Sequence, residues 1–314
     1  EFPDELSLYV SSSELLLFSS DSKENLLESI NDLPNLFSTK SIRSCALESQ
    51  IKFDASHKFK AYFVLRDQAD LDKYLDTIIP KLKSGDESIN IPNIFNYRTS
   101  SQNPKLAILC SGQGSQYPNM GLGIVEKFPV CFDTIQKAAN IQYDGTRLTD
   151  CIYPKPVFNS ADEESQQEQL KNTQWAQPSI GLLTASHISL LKHLNIAPDM
   201  LCGHSYGELS ALYFSGYIRS QEDLIEISRM RGELMASSSQ DGGMTAVFSD
   251  LQTVQPYLND PESNVWLANL NSDSQVVLTG ANQDLEKIEL MLFEEGINFS
   301  RLQVSTAFHS PLMQ

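Results

Sequence analysis

The sequence predicts an α/β protein built in three parts. Three observations predict it. Short apolar runs alternate along the chain with amphipathic stretches at helical spacing. Gly203-His-Ser-Tyr-Gly207 lies between an apolar run ending at Cys202 and a helical pattern through Leu209, Ala211 and Leu212. That strand-turn-helix is a nucleophile elbow, the mark of an α/β-hydrolase-like subdomain, in which a Cβ at either glycine would clash. Residues 243–306 carry the order β-α-β-β-α-β of a ferredoxin-like unit. The expected division is a small α/β domain at 1–102, a larger catalytic subdomain at 103–242 plus 307–314, and the ferredoxin-like subdomain inserted at 243–306.

Taken in order, residues 6–18 and 59–66 read as strands, from Leu15-Leu-Leu-Phe18 and Phe59-Lys-Ala-Tyr-Phe-Val-Leu65. Each precedes a cap and an amphipathic segment. Ser20-Asp-Ser-Lys-Glu24 leads into Leu26, Leu27 and Ile30; Asp67 and Asp70 lead into Leu71, Tyr74, Leu75, Ile78 and Ile79. This is read as two similar strand-helix halves. Residues 83–92 and 98–104 are rich in breakers and read as connectors, which places a boundary near 102. Leu106-Ala-Ile-Leu-Cys110 is wholly apolar, as in a strand covered on both faces. The glycine loop Ser111-Gly-Gln-Gly-Ser-Gln-Tyr117 follows. It lacks the lysine of a P-loop and the third glycine of a dinucleotide fingerprint. It is better read as bringing a backbone N–H, such as that of Gln113, beside the nucleophile. Residues 119–140 read as helix and 150–172 as an acidic, partly helical excursion. Gln177-Pro178 opens an apolar helix over 179–194, whose His187 and His193 read as packing or surface residues. Ser220-Gln-Glu-Asp223 caps a helix through Leu224, Ile227 and Met230, with Arg231 near its end. In 243–306, strands are read at 244–248, 264–269, 275–279 and 299–304, and helices at 251–258 and 283–295.

Bulk properties narrow the function. The chain has 314 residues, a hydrophobic content of 41%, a charged content of 20% and a net charge of −17. That charge disfavours nucleic acid or an anionic membrane as the main partner. No apolar run reaches the roughly 18 residues of a membrane span. No signal peptide is visible, and the start, Glu1-Phe2-Pro3, reads as that of a fragment of a longer chain. Five scattered cysteines without a C-x-x-C read as reduced thiols in a cytoplasmic setting. Five scattered histidines without H-E-x-x-H give no metal site.

A serine nucleophile needs a base. Ser205 is the candidate nucleophile, and the backbone N–H of Tyr206, at the start of the following helix, is an oxyanion donor candidate. His204 adjoins Ser205 and projects to the strand side, where it supports the elbow. His57 lies outside the expected catalytic part. His309, in Phe308-His-Ser-Pro311 just after the insert, is the best base candidate; no acidic residue follows it to orient the ring.

Gly112-Gln-Gly-Ser-Gln116, Gln177-Pro178, Gly203-His-Ser-Tyr-Gly-Glu208, Met230-Arg-Gly232 and Ala307-Phe-His-Ser310 occur in the order and approximate spacing of malonyl-CoA:acyl carrier protein transacylases. The chain resembles the acyltransferase domain of a type I polyketide synthase or polyunsaturated fatty acid synthase. Residues 1–102 resemble the linker domain that joins ketosynthase to acyltransferase in such megasynthases. The resemblance implies Ser205 as nucleophile, His309 as base, and the N–H groups of Gln113 and Tyr206 as oxyanion hole. It implies Arg231 as the holder of the malonyl carboxylate, with Arg229 as second choice because the spacing from Ser205 to Arg231 is one residue longer than usual in the family. It implies His204 as support, and Phe308 as the bulk that favours malonyl over methylmalonyl. Malonyl-CoA, an acyl carrier protein with its phosphopantetheine arm and a neighbouring ketosynthase are the implied partners; no bound cofactor is implied. Tyr206 is bulkier than the aliphatic residue common in the family. The family's domain also continues past the base histidine, with a carbonyl that orients it, so the resemblance implies a C-terminally incomplete domain. A basic patch for an acidic carrier is expected around Arg219, Arg229 and Arg301. The competing expectations are a hydrolase of the same fold, against which Arg231 argues, and a non-catalytic docking piece of a megasynthase.

Overall fold

The computed structural model describes residues 13–84, 86–92, 94–99, 105–143, 145–237, 241–258, 263–302, 304 and 306–313. The chain divides into two compact units, Glu1–Pro104 and Lys105–Gln314.

In the first unit the order is β1 (Glu14–Ser20), α1 (Lys23–Asn31), α2 (Leu33–Thr39), α3 (Ile42–Lys52), β2 (Phe59–Leu65), α4 (Gln68–Ser84), β3 (Ser88–Ile91) and β4 (Phe95–Thr99). The Ser22 side chain caps α1 by accepting from the Asn25 N–H at 3.3 Å. All four strands join one antiparallel sheet in the order β1-β2-β4-β3. This corrects the two strand-helix halves. The first stretch read as a connector, 83–92, holds β3, and β4 runs from the unassigned residues before the second connector into its start; Ile89, Phe95 and Tyr97 alternate with polar residues and bury their side chains. The breakers fall between the strands and beyond them. The parts of the expected segments at 6–12 and 100–104 lie outside the described residues.

The second unit opens with β5 (Ala107–Cys110), α5 (Leu122–Lys127), α6 (Pro129–Lys137), β6 (Gln142–Tyr143), β7 (Thr146–Arg147), α7 (Leu148–Ile152), α8 (Ser160–Lys171) and α9 (Thr173–His193). It continues with β8 (Met200–Gly203), α10 (Gly207–Ser215) and α11 (Gln221–Ser237). β5 and β8 pair in parallel, Cys110 opposite Gly203, which brings the glycine loop beside the elbow. The helical core gathers Met120, Cys131, Ile135, Ile152, Trp175, Leu182 and Ile225. Two expectations are corrected. α9 starts six residues earlier than read, because Asn172 caps it through the Gln174 N–H, and Pro178 lies inside it; the proline leaves the Gln174 carbonyl without its helical donor. β5 is not covered on both faces: Leu109 is 75% exposed.

The remaining elements are β9 (Gly242–Val247), α12 (Leu251–Val254) with a 3₁₀ turn, β10 (Val265–Ser272), β11 (Gln275–Ala281), α13 (Asn282–Glu294) and β12 (Phe299–Arg301). They form an antiparallel sheet in the order β10-β11-β9-β12, the ferredoxin-like arrangement. Leu285, Ile288 and Leu292 of α13 pack on Val247, Val276 and Leu278 of the sheet. β12 is shorter than read; positions 303 and 305 of the expected strand lie outside the described residues.

Candidate active site

The elbow is set by backbone crowding. A Cβ at Gly203 would lie 2.1 Å from the Gly207 carbonyl carbon, and one at Gly207 would lie 2.1 Å from the Cys110 carbonyl oxygen. The Gly207 N–H donates to the His204 carbonyl at 2.9 Å and the Glu208 N–H to that of Ser205 at 3.1 Å. Ser205 is forced to φ 52°, in the left-handed region. Such strain in a non-glycine residue is the expense of presenting a side chain at the tip of a turn.

The Ser205 Oγ lies 2.8 Å from the His309 Nε2, although 104 positions separate them. His309 is also left-handed, at φ 59°. Its turn is braced by the Phe308 N–H donating to the Thr306 carbonyl at 2.9 Å and by the Ser310 hydroxyl donating to the Ala307 carbonyl at 2.6 Å. The histidine is solvent-reachable at the cleft mouth, yet the walls strip enough water from it to push its pKa below the ordinary imidazole value. The positive charge of Arg231 pushes the same way, and the neighbouring His204 adds to it. A neutral Nε2 beside a hydroxyl can take its proton.

Among the described residues, neither the Gln113 nor the Tyr206 backbone N–H donates to a protein acceptor. Gln113 is itself held. Its side-chain amide donates to the Thr173 hydroxyl at 3.1 Å and accepts from the Gln177 amide at 3.2 Å. Gln177 is fully buried on α9. The sequence reading missed this role, and its signal was present: a glutamine on the buried face of an otherwise apolar helix. His204, expected to support the elbow, also has a partner outside it. Its Nε2 meets the Asn271 Oδ1 at 3.2 Å, so it reaches across to the β10–β11 hairpin.

Arg231, one of two arginines weighed for the same role, lines the cleft of about 390 Å³ that also holds Ser205, His309, Gln113 and Phe308. It is half-buried and has no ion-pair partner among the described residues. Burial pulls its pKa down, against the raising influence of Tyr206 and Glu208. Arg229 is committed elsewhere, to Glu226 at 2.7 Å and Glu233 at 2.5 Å, and its pKa is driven up by those bonds. Arg301 is paired with Glu289 at 2.9 Å. The expected carrier patch is therefore corrected: two of its three arginines are neutralised by local carboxylates. Phe308 packs with Met244, Ala246 and Val277 in the cleft wall. No group of His, Cys, Asp and Glu among the described residues could hold a metal ion.

Residues 108–314 match the family described as acyl transferase domain. The chain belongs to that family. It is 32% identical over 219 residues to the highly reducing polyketide synthase claI of Penicillium crustosum, covering 68% of this chain and 9% of that protein. It is 31% identical over 221 residues to a polyunsaturated fatty acid synthase polypeptide of a Thraustochytrium species, covering 67% and 8%. The chain thus spans about a tenth of the length of the curated relatives it matches. In structure it is similar to the acyl transferase domain of ZmaA, with a TM-score of 0.75 and 21% identity over 98% of this chain and 67% of that one, which supports the α/β acyltransferase fold. It is also similar to the malonyl CoA-acyl carrier protein transacylase from Clostridium perfringens, with a TM-score of 0.58 and 28% identity over 67% and 64%. The chain is an acyltransferase of this family, and no helix among its described residues is long and apolar enough to cross a membrane.

Proposed function

We propose that this acyltransferase moves malonyl from malonyl-CoA to the phosphopantetheine thiol of an acyl carrier protein, through a malonyl ester on Ser205. The observation that carries the reading is the pairing of Ser205 with His309 at 2.8 Å in a cleft lined by an arginine with no ion-pair partner among the described residues. His309 takes the Ser205 proton as the oxygen attacks the thioester carbonyl. The developing oxyanion is held by the N–H groups of Gln113 and Tyr206; each such donor contributes about 3–4 kcal/mol to the barrier reduction. The C–S bond breaks, the proton passes from His309 to the departing sulfur, and coenzyme A leaves. The carrier thiol then gives its proton to His309, attacks the ester, and Ser205 recovers that proton as the new thioester forms. Arg231 holds the free carboxylate by two parallel hydrogen bonds, which a neutral acyl group cannot use. His204 supports the elbow, and Phe308 fills the space a methylmalonyl branch would need.

The work is divided among a linker domain at 1–102, a large subdomain at 103–242 plus 307–314, and a small one at 243–306. The setting is cytoplasmic, beside a ketosynthase in a megasynthase. Similarity to polyketide and polyunsaturated fatty acid synthases supports that setting. The test is intact mass after brief mixing with malonyl-CoA, for wild type and Ser205→Ala. A malonyl adduct on wild type alone, discharged by carrier protein much faster than by water, is the expected result. An adduct on both proteins refutes Ser205, and discharge at equal rates refutes transfer in favour of hydrolysis.

A further inference from the structure

Tyr206 follows the nucleophile directly, and its whole side chain is buried. Its hydroxyl meets the Ser228 Oγ on α11 at 2.7 Å. Ser228 uses its one proton on the Leu224 carbonyl at 2.6 Å. Tyr206 must therefore be the donor. Burial raises the phenol pKa well above its ordinary value, so the hydroxyl keeps its proton at working pH. The space for the ring tip comes from α9. A Cβ on Gly181 would lie 2.4 Å from the Tyr206 hydroxyl oxygen and 3.3 Å from the Ser228 Oγ. An alanine at 181 and a tyrosine at 206 could not both keep these positions.

The hydrogen bond links two parts of the cleft that have no covalent reason to stay in register. On one side Tyr206 is bonded to Ser205. On the other, Ser228 is three residues before Arg231, nearly one turn of α11. The Arg231 charge is felt at the phenol. We propose that the Tyr206–Ser228 hydrogen bond is a positioning tie that sets the register of Ser205 against Arg231 and thereby tunes which acyl groups react. It rests on the roles given above to Ser205 and Arg231. A carboxylate held by Arg231 must present its thioester carbonyl to the Ser205 Oγ, so a small relative shift penalises malonyl. Acetyl has no second anchor and follows the serine. Misplacement of about 1 Å can lower a rate on the order of 100-fold.

The experiment measures single-turnover loading of Ser205 by intact mass, with malonyl-CoA and acetyl-CoA, for wild type, Tyr206→Phe, Ser228→Ala and the double variant. Tyr206→Phe keeps the ring over Gly181 and removes the hydroxyl alone. For Ser228→Ala the expected result is a malonyl rate lowered about tenfold with acetyl changed by less than about twofold, since the tie is lost without displacing the elbow. Tyr206→Phe should lower malonyl loading at least as far, because the phenol also lies within bonding reach of Ser210, and the double variant should be no worse than Tyr206→Phe alone. Equal loss for the two acyl groups would mean that the bond serves the oxyanion hole or general stability, and overturns the proposal. Unchanged malonyl-to-acetyl ratios in both single variants overturn it too. If Tyr206→Phe does not fold, Ser228→Ala decides alone. A wild type that takes no malonyl refutes the functional reading, and the tie falls with it; a wild type that loads and discriminates while the variants do so equally well refutes only the tie.

Discussion

On the proposed reaction, replacing Arg231 by alanine should separate malonyl from acetyl as substrates. The guanidinium is half-buried, lines the cleft with Ser205 and His309, and pairs with no carboxylate among the described residues. A malonyl carboxylate would take two charge-assisted hydrogen bonds from it, each contributing about 1.5–3 kcal/mol. Without it, the carboxylate enters a cleft partly stripped of water and finds no donor pair. Truncating one partner of such a pair costs about 2–5 kcal/mol, and partial exposure of the cleft places this case near 3–4. At 1.36 kcal/mol per tenfold, malonyl kcat/KM falls on the order of 100- to 1,000-fold. Acetyl loading keeps its rate or gains slightly, because an unpaired charge has left the cleft. Lysine at 231 recovers less than about tenfold of the loss, since an ammonium cannot make the two parallel bonds. The assay is initial-rate transfer to carrier protein with each acyl-CoA, with thermal melting to confirm the fold. A parallel fall for malonyl and acetyl would refute the carboxylate role and leave Arg231 as a structural side chain.

Three more outcomes follow from the same geometry. His309 must be neutral to accept a proton, so loading falls as pH drops through its pKa; that acid limb lies below the ordinary imidazole value in wild type, as burial and then Arg231 hold the pKa down. Arg231→Ala removes one of those influences, so the limb of acetyl-CoA loading against pH moves to higher pH, and a limb that stays or moves lower contradicts the assignment of His309 as base. Gly207→Ala drives a methyl to 2.1 Å from the Cys110 carbonyl oxygen; this should destabilise by about 3 kcal/mol, visible as a melting point lowered by several degrees, and abolish loading. An unchanged melting point would show that the elbow relaxes freely. Phe308→Ala opens the wall beside Met244 and Val277; methylmalonyl-CoA should gain on malonyl-CoA on the order of tenfold in competition, at a stability cost of about 3 kcal/mol, whereas an unmoved ratio removes Phe308 from specificity.

Local chemistry was legible wherever neighbours in sequence are also neighbours in space. The elbow could be read because Gly203, Ser205 and Gly207 sit within one turn, and steric exclusion at the glycines is a local fact. The ferredoxin-like strands could be read because Met244-Thr-Ala-Val and Gln275-Val-Val-Leu are continuous β-branched and apolar runs. The hairpin β3–β4 was misread because Pro92 and its polar neighbours outweighed a short alternation of Ile89, Phe95 and Tyr97, whose value appears only when the sheet is there to bury them. The cover of β5 was misread for the complementary reason: apolar composition marks what a strand can bury, while Leu109 depends on which element packs against it.

Tertiary structure alone decided the rest. Which arginine faces the cleft turns on two residues of helical phase, with Arg229 drawn to Glu226 and Glu233 and Arg231 left for the cleft. The 2.8 Å approach of His309 to Ser205 needs the whole insert between them to fold and return the chain to the elbow. The support of Gln113 by Gln177 and of Tyr206 by Ser228 joins residues from different helices and loops. A sequence specifies such donors and acceptors as types. Their pairing is set by packing, because a buried hydrogen bond is favourable only when both partners have already been brought out of water to the same place.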